Sequence, residues 1–179
     1  MHAVFPAFPG ADASQIASGN ERVIVNVVWA ILYSQFIRRT EFGGFHGLAA
    51  VALFVQQSTR GYNHVRISHD LAGSFCNSFA LNAILHHFAP NSVEYDIISA
   101  AHIERNLRCV LFVLWQSFAL CAEFRVFVFA CCSRCFQKAN ELFKVPLLLD
   151  ASDFLDPATF CENSLVLYLT AFCQCVTKH

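Results

Sequence analysis

Cysteine and histidine are the residues of this chain best equipped to hold a metal. Cys132-x-x-Cys135, with Cys131 alongside, has the separation of two zinc ligands. A structural zinc site takes four, and no second Cys or His pair answers it, since Cys173 and Cys175 lie only two apart. The nine cysteines are odd in number and lack the spacing of a disulfide scaffold, so they read as reduced thiols of a cytosolic protein. His86-His87 ends an apolar stretch, where one ring can cap backbone carbonyls. Glu94 with Asp96, and Asp150 with Asp153, have the spacing of acid/base pairs, with solvated surface carboxylates as the alternative. The chain has no Gly-rich phosphate loop, no Gly-x-Ser-x-Gly turn and no His-Glu-x-x-His. It reads as a protein without catalysis, metal or cofactor. Arg60, Tyr62, Arg66 and His69 gather in one polar stretch.

The elements that must carry these residues are helical. With 179 residues, the chain holds one domain of ordinary size and a fragment of a neighbour at most. Hydrophobic residues make up 56% and charged residues 14%, which excludes a disordered chain. A net charge of −1 sets up no field that would draw nucleic acid. Residues 1–10 contain two prolines and no basic region ahead of an apolar core, unlike a signal peptide.

Ser18 and Glu21 have the spacing of a capping box. Behind them Ile24, Val27, Val28, Ile31 and Leu32 recur at helical spacing, predicting one amphipathic helix over 21–37 whose apolar side is core. Arg38 and Arg39 follow at its negative end. Three glycines over 41–47 suggest a linker, and 48–57 a second helix. Phe75, Phe79, Ile84, Leu85 and Phe88 mark a helix that must stop near Ala89, because Pro90 disfavours a helical residue before it. A short helix over 135–144, closed by Pro146, and a last one through Leu165, Leu169, Phe172 and Val176 complete the reading. No strand-and-turn rhythm is visible, so the fold class is all-α.

In this order the segments resemble the tandem calponin-homology (CH) actin-binding domain of the alpha-actinin, spectrin and filamin group. Ser18-Gly19-Asn20, with Trp29 and Ala30-Ile31-Leu32 behind it, is similar to the last helix of a first CH domain. Arg60-Gly61-Tyr62-Asn63-His64-Val65, then the run from Ser74 to Pro90 and Val93-Glu94-Tyr95-Asp96, resembles the centre of a second. Val145-Pro146-Leu147-Leu148-Leu149-Asp150, Asp153 and Glu162-Asn163-Ser164 resemble its closing turn and helix. The resemblance implies the end of a truncated first CH domain at 11–39, a linker at 40–46 and a second CH domain at 47–179. It puts the four carboxylates at turn or helix-cap positions, and packs Leu147 to Leu149 on the preceding helix. Against the family, this chain has Asn77-Ser78 for Asp-Gly, Phe54 for a tryptophan, and Asn26 for a common glycine.

One stretch does not belong to that pattern. Residues 109–134 interrupt the second domain, and 20 of these 26 are apolar, with four cysteines and five phenylalanines. Three origins compete: a membrane span over 110–132, a genuine extension of the following helix, and translated non-coding sequence. For the span, Glu123 and Arg125 near its middle oppose insertion by about 2.5–3.5 kcal/mol each, which nearly cancels the gain from its Leu, Phe and Val residues.

The resemblance implies a cytoplasmic, cytoskeletal module for F-actin, weak by itself because most of the first CH domain is missing. Its actin-facing residues would be Asn20, Arg22, Trp29, Arg38 and Arg39, and a further contact the helix over 48–57. A phosphoinositide head group would meet Arg60, Tyr62 and Arg66, with a solvated basic loop as the plainer reading. The rival class is a small membrane protein anchored through 110–132, and a third is a truncated product whose interrupted core never folds.

Overall fold

A computed structural model describes residues 13–68, 70–75, 77–98, 118–155 and 160–178. Helix α1 (Ala13–Ala17) ends at Gly19, whose φ of 76° reverses the chain. Helix α2 (Glu21–Leu32) then starts on Asn20, whose Oδ1 accepts from Val23 N at 3.4 Å. The expected capping box is therefore displaced: Ser18 still belongs to the α1 turn, and its hydroxyl donates to Gln15 O at 2.9 Å. The helix expected over 21–37 changes pitch at Leu32. Tyr33–Ile37 is a π-helical turn, closed by Arg38 N donating to Tyr33 O at 2.9 Å.

The glycine-rich linker is a small hairpin. Strands β1 (Glu41–Phe42) and β2 (Phe45–His46) pair antiparallel, Glu41 opposite His46 and Phe42 opposite Phe45. Gly43 and Gly44 both have positive φ, 59° and 80°, as a two-residue hairpin turn requires. Strands two residues long give no alternation to read in sequence, and they leave the architecture all-α.

The rest is a helical bundle: α3 (Leu48–Ser58), α4 (Leu71–Phe75), α5 (Phe79–Phe88), α6 (Phe118–Phe143) and α7 (Glu162–Val176). The expected helix through Phe75 and Phe88 is broken at Ser78, which adopts φ 64°, and α5 stops at Phe88 before Pro90. All of Phe79 to Leu85 is buried, so α5 is the central helix. Phe54 lies at 0% exposure in the middle of a chain of rings. It meets Phe42 edge-on at 5.4 Å, stacks on Phe88 at 5.6 Å and approaches Phe172 at 6.1 Å, which in turn lies 6.1 Å from Phe143. The segments before and after the apolar interruption thus share one interior.

Helix α6 begins well before residue 135. Val128, Cys132, Cys135, Phe136 and Ala139 recur on one face and are all buried in the common core. The end of the stretch read as an interruption is therefore continuous with the helix expected over 135–144, while residues 109–117 lie outside the described residues. Among the described residues no helix is long and apolar enough to cross a membrane. Of the three leucines after Pro146, only Leu149 reaches the core. Leu147 and Leu148, expected to pack, are 62% and 43% exposed.

Candidate functional site

Two regions carry the candidate residues. The first is the arm formed by α1, α2 and the π-helical turn. None of the 12 residues of α2 is fully buried, and Ile24, Val25, Val28, Ile31 and Phe36 are all exposed. This corrects the expectation that the apolar side of the 21–37 helix is core. Helical spacing shows that a face exists, but among the described residues no element of the bundle buries it. On the arm Asn20 serves as the cap, Arg22 is exposed in the first turn, and Trp29 is half-buried. Arg38 and Arg39 are exposed directly after the π-helical turn.

A polar latch holds the base of the arm. Thr40, 1% exposed, donates to Phe36 O at 3.0 Å. Gln174 on α7 donates to Thr40 Oγ1 at 2.8 Å and to Phe36 O at 3.1 Å. Ile37 beside them is fully buried. The structure thus fixes where Arg38 and Arg39 emerge. Between this latch and α7 lies an apolar groove of about 360 Å³, lined by Leu32, Phe36, Pro146, Leu148, Ala171 and Cys175 among others.

The second region is the loop after α3. Arg60, Tyr62 and Val65 line an open cavity of about 670 Å³, with Gln56, Gln57 and Thr59 from the end of α3. Arg66 is exposed but does not line it, and His69 lies outside the described residues. Tyr62 is held from below: its hydroxyl shares a hydrogen bond of 2.8 Å with His86 Nδ1, and its ring meets that of Tyr95 at 4.8 Å. The Tyr95 hydroxyl donates to Asn63 O at 2.7 Å. Burial raises the pKa of both phenols, with the neighbouring Tyr62 and Asp96 charges adding to it at Tyr95. Both rings are therefore neutral hydrogen-bonding braces. His86 thus joins a partnership across 24 residues that no local pattern announces. Ring-on-ring support from Tyr95 was equally invisible in the sequence.

The remaining candidates are structural. Cys132 and Cys135 sit in the core on one face of α6, and burial, then the adjacent Cys131, pushes the Cys135 thiol far up. Among the described residues no cluster of His, Cys, Asp and Glu could hold a metal ion. Asp150 and Asp153 cap the turn Ala151–Phe154 reciprocally: Asp150 Oδ1 accepts from Ser152 N, and Asp153 Oδ2 from Asp150 N, each at 2.8 Å. Those bonds from the Ser152 backbone and hydroxyl hold the Asp150 carboxyl below its ordinary pKa. Glu94 and Asp96 are exposed and flank the buried Tyr95.

Comparison with known proteins bears on what such an arrangement is for. The model of the calponin homology (CH) domain matches residues 49–175. Human alpha-actinin-4 is 21% identical over 160 residues, 89% of this chain and 15% of that protein. Alpha-actinin A of Dictyostelium discoideum is 21% identical over 163 residues, 91% of this chain and 16% of its own length. The erythrocytic spectrin beta chain of mouse is 26% identical over 98 residues, 51% of this chain and 5% of the spectrin. The chain therefore spans about a sixth or less of each of these relatives.

Proposed function

Because the chain belongs to the calponin homology domain family, we propose that it is a non-catalytic binding module for actin filaments, weak by itself, in a cytoplasmic cytoskeletal protein. The observation that supports this most is the family match over residues 49–175, joined by alpha-actinin similarity that extends over 89% of the chain. In this reading α1, α2 and the π-helical turn are the end of a truncated first CH domain, residues 40–46 the linker and the bundle from α3 onward a second CH domain.

The contact surface is the arm. Arg22, Arg38 and Arg39 are exposed there and have no ion-pair partner among the described residues. An acidic filament surface is the natural complement of three cations on one rod. Asn20 acts through the start of α2, and Trp29 supplies a flat apolar surface beside them. With so few charges on the arm, the affinity is low.

Co-sedimentation with F-actin tests this. The expected result is weak pelleting that fades as salt rises and drops several-fold in Arg38→Glu/Arg39→Glu. Micromolar affinity contradicts the weakness, and pelleting indifferent to the charge reversal contradicts the site. A phosphoinositide head group is not part of the proposal. Arg60 is the only arginine or lysine lining the cavity beside Tyr62 among the described residues, and one cation holds a multiply charged head group poorly.

A further inference from the structure

The π-helical turn separates one backbone acceptor from its helical donor. In an unbroken α-helix Thr40 N would bond Phe36 O, but here it turns to Ile37 O at 3.0 Å. Side chains take the Phe36 carbonyl instead: the Thr40 hydroxyl at 3.0 Å and the Gln174 amide at 3.1 Å. The same Gln174 Nε2 reaches Thr40 Oγ1 at 2.8 Å, so that hydroxyl accepts from α7 while it donates to the arm. Thr40 O in turn accepts from Gly47 N at 2.8 Å, which ties the hairpin to the same point. Every polar group of Thr40 is thereby engaged, as its 1% exposure demands.

Arg38 and Arg39 lie between two anchors. Ile37 before them is fully buried in the common core, and Thr40 after them is held by the latch. The apolar anchor has no direction of its own. Hydrogen bonds do, so those from Gln174 set how the arm is turned about Ile37. Gln174 is itself rooted beside the fully buried Phe172 and Cys173 on α7. Holding a short charged span in one course before contact lowers the ordering cost of binding. The latch joins neutral groups, so salt does not screen it as it screens the charges it orients.

Building on the filament contact proposed for Arg38 and Arg39, we infer that Gln174 is a positioning residue for it. Through Phe36 and Thr40 it fixes how the two arginines are presented. Gln174→Met keeps the side-chain length and removes both hydrogen bonds. In nuclear magnetic resonance of the full chain, the order parameters of the Arg38, Arg39 and Thr40 amides should then fall from about 0.85 to about 0.6 or lower. Those of α5 should not change. Filament affinity should drop about threefold to tenfold, as expected of neutral hydrogen bonds. The slope of its salt dependence should stay as in the wild type, because no charge is lost. Thr40→Val should weaken binding similarly, and the double variant should fall no further than either. Thr40→Ser, which keeps the hydroxyl, should match the wild type. Rigid amides in Gln174→Met overturn the inference, as do additive losses or an altered salt slope. Unchanged filament binding by Gln174→Met overturns it and leaves the filament reading intact. A wild-type chain that does not pellet with filaments takes both down, whatever the order parameters show.

Discussion

At Ser78 a side chain occupies a backbone conformation that suits glycine. Its φ is 64°, it is fully buried, and its hydroxyl has no hydrogen-bond partner among the described residues. Left-handed backbone costs an L-residue about 1–2 kcal/mol, and an unpaired buried hydroxyl adds to that. Asn77 makes the turn possible by accepting from Phe79 N at 3.2 Å. Ser78→Gly is therefore expected to stabilise the protein by about 1 kcal/mol after the extra freedom of glycine in the unfolded chain is subtracted. A urea titration reads this directly, and an unchanged or lower midpoint sinks it. The resemblance implied a glycine where this chain has Ser78, but only the folded turn, with its φ of 64°, shows why glycine suits the place.

Helix α6 carries the end of the apolar stretch into the bundle. Its face of Val128, Cys132, Cys135 and Ala139 runs across residue 134 without a break. If residues up to 134 were foreign to the fold, trimming them would not matter. Instead Val128→Ala is expected to cost about 1–3 kcal/mol, because Val128 is 1% exposed in the core. Val126→Ala, at 68% exposure two residues earlier, should stay within about 0.5 kcal/mol. Equal effects of the two in thermal melts would show that this part of α6 is not packed as described. Periodicity could not make the distinction beforehand, since the stretch is apolar on almost every side and so has no visible face. Helix α2 is the opposite case. Its face was plain, and its partner was not.

Across the whole molecule, the ring chain centred on Phe54 joins the hairpin, the central helix and the last helix into one cooperative unit. The Phe54 ring is fully buried and meets Phe42, Phe88 and Phe172. Phe54→Ala should cost about 3–5 kcal/mol, a large share of the roughly 5–15 kcal/mol that holds a domain together. Circular dichroism in urea should show the whole bundle losing its transition at lower denaturant. A loss confined to a few tenths of a kcal/mol would mean that the two halves do not depend on each other.

Helices α2, α3, α5 and α7 in their order, the stops at Pro90 and Pro146, and the actin-type resemblance were determined by sequence alone, because they rest on local backbone preference and on residue order. The two-residue strands, the Tyr62–His86–Tyr95 brace and the Gln174 latch, which reaches back to Thr40 and Phe36, were decided only by the tertiary structure. Each joins groups that local pattern cannot relate, the last across more than a hundred residues. The exposure of α2 belongs with them: a hydrophobic pattern tells which side of a helix avoids water, and only the assembled fold tells whether anything is there to receive it.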